Sequence, residues 1–304
     1  MSAAAPARVT ASILDAIGWT PLVRLRGLDV PAGVELLAKC EWFNPGGSVK
    51  DRTALSLLRE GRRSGALAPG QAIIDSSSGN TAVGLAMVGQ ALGHPVELVM
   101  PETASLERRR LCEAYGARLR LTDAFEGSDG AIRHVRRLVA DDCGRYFYAD
   151  QYRNPANPLA HYRTTGPELW QQTRGRITHF VAGLGTSGTL MGTGRYLRER
   201  KAGVRIVAVE PDAALHGLEG LKHMQSALVP EIYDTSGHDQ VVTVATERAY
   251  ATCREVLASD GLFVGHSAGA ALAVGLDLAR RLRQGVVVVL LPDGGERYLS
   301  EPVA

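Results

Sequence analysis

The stretch QAIIDSSSGNTAVGLAMVGQALGHPVELVM, residues 71–100, holds a complete strand-loop-helix-strand unit. QAIIDS (71–76) is a short apolar run that predicts a strand, NTAVGLAMVGQALG (80–93) predicts a helix, and VELVM (96–100) a second strand. Downstream the cycle repeats. SLERRRLCEAYG (105–116) reads as a helix stopped by a glycine, RLRLT (118–122) as a strand, SDGAIRHVRRLVADDC (128–143) as a helix and YFYAD (146–150) as a strand. Beyond these come helix 165–173, strand 178–185, helix 187–200, strand 204–211, helices 246–260 and 267–283, and the apolar strand 286–292. Upstream, residues 52–64 look helical. Apolar strands alternating with helices predict parallel sheets built from β-α-β units, an α/β fold. The strands are too many for one small sheet, so two α/β domains are expected. DQYRNPANPLAHYR (150–163), with its prolines and weak periodicity, is the candidate crossing between them. Ligands of such sheets lie beyond the carboxyl ends of the strands, which predicts an active site in the interdomain cleft.

Bulk composition narrows the function. The chain has 304 residues, 45% of them hydrophobic and 22% charged, as in a globular protein. Its 34 basic and 32 acidic residues nearly cancel, which gives no footprint for nucleic acid and no polybasic membrane arm. No apolar run reaches the length of a membrane span. The opening MSAAAPARVT lacks a signal-peptide core, so a cytoplasmic location is expected. Cys40, Cys112, Cys143 and Cys253 are scattered, which predicts reduced thiols rather than a disulfide framework or a metal site.

Gly183-Leu-Gly185-Thr-Ser-Gly188 follows an apolar strand and opens a helix. It matches the dinucleotide fingerprint, and Glu210 at the end of the next strand could serve as a ribose-binding acid. The underlying physics is broader: backbone N–H groups at a helix start cradle a phosphate of either kind. Thr186, Ser187 and Thr189 add hydroxyls that suit a terminal phosphate monoester.

Asn44-Pro-Gly-Gly-Ser-Val-Lys50-Asp-Arg52 puts a lysine after a glycine-rich turn at a helix start. The positive end of the helix dipole favours a neutral amine, which is what covalent attachment of an aldehyde cofactor requires. Ser76-Ser-Ser-Gly-Asn80-Thr81 lies between strand and helix and suits a carboxylate. Gly265-His-Ser267-Ala-Gly269 opens a helix of small residues, and Leu291-Pro-Asp-Gly-Gly-Glu-Arg-Tyr-Leu-Ser300 runs from a strand end into a glycine turn.

Together with Ile17-Gly-Trp-Thr-Pro-Leu-Val23, Asn154-Pro-Ala-Asn157, Thr165-Gly-Pro-Glu168 and Val229-Pro-Glu-Ile-Tyr-Asp234, these segments give the chain a clear resemblance. It resembles the cysteine synthase (O-acetylserine sulfhydrylase) and cystathionine β-synthase family, the fold-type-II pyridoxal-phosphate (PLP) enzymes, and most of all the cysteine synthase B branch. The resemblance spans nearly the whole chain. It implies a tryptophan synthase β-like architecture, with residues 42–152 as a smaller mobile domain and residues 1–41 and 153–304 as a larger cofactor-binding one. Lys50 would be the Schiff-base lysine and proton shuttle. Asn80 would contact the cofactor's ring hydroxyl, Gly185, Thr186, Ser187, Gly188 and Thr189 would cup its phosphate, and Ser267 would meet its pyridine nitrogen. Ser77, Ser78, Thr81 and Gln151 would hold the substrate carboxylate. Lys222 stands where some relatives carry a phosphate-binding arginine, and it is read either as a ligand for O-phosphoserine or as a solvated surface lysine. His216 and His223 beside it read as surface residues, and Glu107-Arg-Arg-Arg110 as a solvated helix face.

The implied reaction is β-replacement on an O-activated L-serine by a sulfur nucleophile, sulfide or thiosulfate. It would run through an α-aminoacrylate intermediate to L-cysteine or S-sulfocysteine. The partners are small molecules and, by resemblance, a second copy in a homodimer; no metal is implied. A homocysteine acceptor, a serine or threonine dehydratase and an NAD(P)-binding oxidoreductase stay as alternatives, although neither a haem-binding extension nor a C-terminal regulatory module is visible in the sequence. Four positions depart from the family pattern: Trp19 for Asn, Ser77 for Thr, Ala82 for Gly and Ala268 for Ser. Ala82 is expected to add a methyl group to the substrate loop and so to alter its closure or the choice of acceptor.

Overall fold

Residues 9–142 and 144–299 are described by a computed structural model. Cys143, Ser300 and the first eight residues of the N-terminal segment, all read above, lie outside the described residues. Two strands come first, the short β1 (Leu22–Arg24) and β2 (Val34–Cys40). Then follow α1 (Lys50–Ser64), β3 (Ala72–Ser76), α2 (Asn80–Ala91), β4 (Val96–Pro101), α3 (Leu106–Ala114), β5 (Arg118–Thr122), α4 (Gly127–Asp141) and β6 (Tyr146–Tyr148). Two consecutive helices, α5 (Ala156–Arg163) and α6 (Thr165–Gln172), lead to β7 (His179–Gly183), α7 (Gly188–Arg200), β8 (Arg205–Pro211) and β9 (Gln240–Val244). The last elements are α8 (Thr246–Asp260), α9 (His266–Arg281) and β10 (Gly285–Leu291).

These strands make two sheets. One has the order β5-β4-β3-β6 and is wholly parallel. The other has the order β1-β2-β10-β7-β8-β9 and is parallel except for β1 against β2. Both are covered on both faces, which is why their central strands read as continuous apolar runs. In β10 the side chains alternate between two cores: Val287, Val289 and Leu291 join the cluster under α9, while Val286, Val288 and Leu290 join the cluster that includes Leu190 and Leu197 of α7. In β3, Ile73 and Ile74 likewise face opposite cores. Among the described residues no helix is long and apolar enough to cross a membrane.

The crossing segment 150–163 is not structureless; it contains α5. Pro155 caps that helix and Pro158 falls in its first turn, where a missing N–H costs no helical bond. Each sheet also has one point at which the strand order reverses. In the first, the chain runs outward from β3 to β5 and returns to place β6 on the other side of β3. In the second it runs from β7 to β9 and returns to place β10 beside β7. Such switch points open a crevice at the carboxyl ends of the strands. Here those ends carry the loops 77–79, 149–155, 184–187 and 292–294.

Candidate active site

A cleft of about 490 Å³ joins the two switch points, lined from one side by Ser76–Thr81 and Gln151 and from the other by Gly185, Thr186 and residues 219–223. Lys50 lines it as well. It also lines a small inner chamber of about 30 Å³, together with Asn80, Gly185, Thr186, Ser187, Thr189 and Ser267. The structure therefore brings the residues read from the sequence into one connected space, Gly188 excepted. Gly188 serves behind the lining, since a Cβ there would lie 2.0 Å from Asn157 Oδ1.

Lys50 is the first residue of α1. Its loop is stitched to the end of β10: the Val49 amide donates to Pro292 O at 2.9 Å, and Ser48 bridges Asp293. The Lys50 amine has no hydrogen-bond or ion-pair partner among the described residues. Burial lowers its pKa, opposed by the charges of Asp293 and Glu41. The helix start favours a neutral amine, and burial acts in the same direction.

The glycine loop ends β7 and opens α7. Ser187 caps the helix at φ 71°, a left-handed backbone that turns the chain sharply into its first turn. Thr186 Oγ1 accepts from Asn157 Nδ2 at 3.0 Å and Thr189 Oγ1 lies 3.3 Å from His161 Nε2, which fixes two of the hydroxyls. The buried Ser187 hydroxyl has no partner among the described residues. A polar atom orphaned at a helix N-terminus beside a chamber is what a phosphate would satisfy. Glu210, the acid of the dinucleotide reading, has one oxygen engaged within the protein: its Oε2 accepts from the Met224 amide at 3.1 Å.

On the opposite wall, Thr81 Oγ1 donates to Gln151 Oε1 at 2.7 Å, and Gln151 Nε2 donates to Ser76 O at 3.0 Å. Asp75 underlies both, accepting from the Ser76 amide at 2.7 Å and the Gln151 amide at 3.3 Å. Burial pushes the Asp75 carboxyl up to about 8. Ser77 Oγ accepts from the Gly79 amide at 3.2 Å, and Ser78 lines the cleft.

Five sequence expectations are corrected. Ala82 lies inside α2, fully buried in the hydrophobic core, so its methyl group does not enter the substrate loop. Lys222 is no solvated lysine. It is 11% exposed, pairs with Asp129 Oδ1 at 3.3 Å and lies over the Tyr152 ring. His216 and His223 line the cleft rather than the outer surface. In the run 107–110, Arg108 is buried, pairs with Glu219 and stacks its guanidinium 4.9 Å from the Tyr298 ring centroid. Helical spacing turns Arg108 inward, leaves Glu107 and Arg109 half-buried and exposes Arg110.

Trp19 sits at φ 48° and is exposed, away from the cleft lining, and Ala268 packs in the core at the start of α9. Of the described cysteines, Cys40 and Cys112 are buried and Cys253 half-buried, all free, with burial pushing their thiols up to about 12, 12 and 11. The sequence reading missed Asp293, Arg297 and Tyr298. The signal lay in Pro-Asp-Gly-Gly-Glu-Arg-Tyr, but their partners come from elements far away in the chain.

Residues 13–293 match the family described as pyridoxal-phosphate dependent enzyme. The chain is 51% identical to a cysteine synthase of Aquifex aeolicus over 95% of this chain and 90% of that protein. It is 41% identical to a cysteine synthase B of Pseudomonas aeruginosa over 96% and 97% of the two chains. Its fold superposes on the crystal structure of a cysteine synthase from Entamoeba histolytica with a TM-score of 0.94, at 37% identity, covering 100% of this chain and 93% of that one.

Proposed function

Because the chain belongs to the pyridoxal-phosphate-dependent enzymes of the cysteine synthase kind, and so carries out a PLP-dependent β-replacement that forms cysteine, we propose how its own residues divide that work. One observation carries the assignment: a lysine amine below the protein surface, without a partner, where both switch points meet.

The residues fit the cofactor. Lys50 would hold its aldehyde, the N–H groups and hydroxyls of 185–189 its phosphate, Asn80 its ring hydroxyl and Ser267 its ring nitrogen. The unpartnered Ser187 hydroxyl supports that placement. When bound, PLP supplies a covalent link for the substrate amine and an electron-withdrawing ring beside the α-carbon.

Ser77, Ser78, Thr81 and Gln151 bind the substrate carboxylate, and Asp75 accepts from the Gln151 amide and from that of Ser76 next to the loop. The Lys50 amine, its pKa lowered by burial, would be the base at the α-carbon. It takes the α-proton before the β-substituent leaves and returns it to the α-carbon after sulfur adds. Residues 42–152 act as the smaller moving body that closes over the cleft. The pairs Arg108–Glu219 and Lys222–Asp129, which join its helices to the 216–228 segment, support that reading. Lys222 then offers a positive charge to a phosphate leaving group once Asp129 releases it. The sulfur donor is sulfide or thiosulfate. A cytoplasmic homodimer belongs to the same reading.

The test is spectroscopic. O-acetylserine or O-phosphoserine added to the PLP-loaded protein should change its visible absorption, and sulfide should restore it. No visible band after incubation with PLP would sink the proposal; a response to homocysteine in place of sulfide would reassign the acceptor.

A further inference from the structure

Asn80 carries one of the site's defining contacts, yet a primary amide is ambiguous: its oxygen and nitrogen occupy the same volume and present opposite hydrogen-bonding character. The structure removes that ambiguity with two residues from the segment after β10. Asp293 Oδ2 accepts from Asn80 Nδ2 at 2.7 Å, and Arg297 Nη1 donates to Asn80 Oδ1 at 2.6 Å. A carboxylate can only accept and a guanidinium can only donate, so the amide has one allowed orientation. With the orientation fixed, the second N–H of Asn80 is left without a partner among the described residues, on a residue that lines both the cleft and the chamber.

The same two residues grip the lysine loop. Arg297 Nη2 donates to Gly46 O, and Ser48 pairs with Asp293 through the backbone. Gly46 also donates to Asp51 Oδ2 at 2.5 Å, and a side chain at Gly47 would strike Arg297 Nη2 at 2.3 Å. Asp293 is itself fully buried. Its Oδ2 takes a second bond from Tyr298 OH at 2.7 Å, while its Oδ1 has no partner among the described residues. An uncompensated carboxylate oxygen is costly at such depth. The Asp293 side chain is instead held by Asn80 and Tyr298 on the other oxygen.

We propose that Asp293 and Arg297 form a positioning clamp that fixes the donor face of Asn80 and the Lys50 loop as one rigid unit. The inference rests on the assignment of Asn80 and Lys50 to the cofactor. It gives the Pro-Asp-Gly-Gly-Glu-Arg-Tyr segment a role that is not confined to folding. Neither residue touches the reacting atoms. They act by keeping two groups that do within the narrow geometry catalysis tolerates, where a shift of about 1 Å can cost on the order of a hundredfold in rate.

The test uses the PLP-loaded D293N variant, which keeps the size of the side chain but abolishes its acceptor-only character. We expect kcat to fall by about tenfold to a hundredfold, with KM for O-acetylserine near the wild-type value. The visible absorption should persist while most of the visible circular dichroism, which reports how rigidly the cofactor is held, is lost. Wild-type kcat and dichroism in the folded variant would overturn the clamp. So would an activity loss matched by the loss of folded protein, with wild-type dichroism in what remains. Should D293N fail to fold, R297K decides. A lysine reaches Asn80 or Gly46 but not both, so the same signature is expected in weaker form, and wild-type behaviour contradicts the proposal. A wild-type protein with no visible band after loading would instead defeat the cofactor assignment and leave the clamp without its purpose.

Discussion

Two lysines have their amines drawn away from the outer surface, Lys39 fully buried and Lys50 half-buried at the cleft, and their surroundings are opposite. Lys39 of β2 is fully buried and gives its three N–H bonds to Thr20 O at 2.8 Å, Glu168 Oε2 at 2.6 Å and Gln172 Oε1 at 2.9 Å. Glu168 in turn pairs with Arg52, which also pairs with Glu41, so the charges around Lys39 form a closed network. Lys50 opens onto the cleft and has no partner among the described residues. Burial lowers the pKa of both, but only Lys39 has a hydrogen-bonded carboxylate pulling back. Burial alone therefore does not mark a functional lysine. A saturated buried amine is structural, whereas an unsaturated one facing a cavity is available for chemistry.

The largest effect expected is on turnover. Lys50→Ala should abolish covalent cofactor attachment and lower kcat by about a thousandfold or more, from the loss of both linkage and base. Its urea midpoint should stay close to that of the wild-type apoprotein, because no bond of the amine is broken. Lys39→Met should behave the other way. Removing one partner of a buried pair costs about 3–5 kcal/mol, seen in urea unfolding, while turnover per folded molecule is kept. A stable Lys39→Met, or a collapsed Lys50→Ala, would break the contrast.

Asp75 extends the comparison to a carboxylate without an ion-pair partner among the described residues. In the fold it keeps its proton up to about pH 8, whereas its ordinary value is 3.8. Between those values the folded state holds a proton that the unfolded chain has released. The stability Asp75 contributes is thus complete below pH 3.8 and lost as pH rises through about 8. Asp75→Asn should flatten that part of the stability–pH curve, and an unchanged slope would show that Asp75 is ionised throughout. The smallest effect is at Lys222. Lys222→Ala should weaken O-phosphoserine by about tenfold in KM, roughly 1.4 kcal/mol, and leave O-acetylserine alone. Equal behaviour toward both esters would return Lys222 to a structural role.

Legibility in the sequence follows the same divide between saturated and open groups. The alternation from β3 to β10 could be read because the inner strands β3, β4, β7, β8 and β10 are buried on both faces. By contrast β2, VELLAKC, hides Lys39 in a strand interrupted by two charged residues, and the charge network that makes it buried is assembled by Glu168 and Arg52 from elsewhere. The edge strand β9 is largely exposed, and α5 is disguised by two prolines. In the site, Lys50, the 76–81 loop and the glycine loop announce themselves through local glycines and hydroxyls at element ends. Asp293, Arg297 and Arg108 do not, since their meaning comes from contacts with residues from Gly46 to Glu219 that only the folded chain creates.

The most direct test of the account is to load the protein with PLP, reduce it with borohydride, digest it and locate the modified residue by mass spectrometry. The account predicts a stable adduct on Lys50, with Lys39 and Lys222 untouched. An adduct on either of those lysines, or none on a protein that has taken up the cofactor, would contradict it.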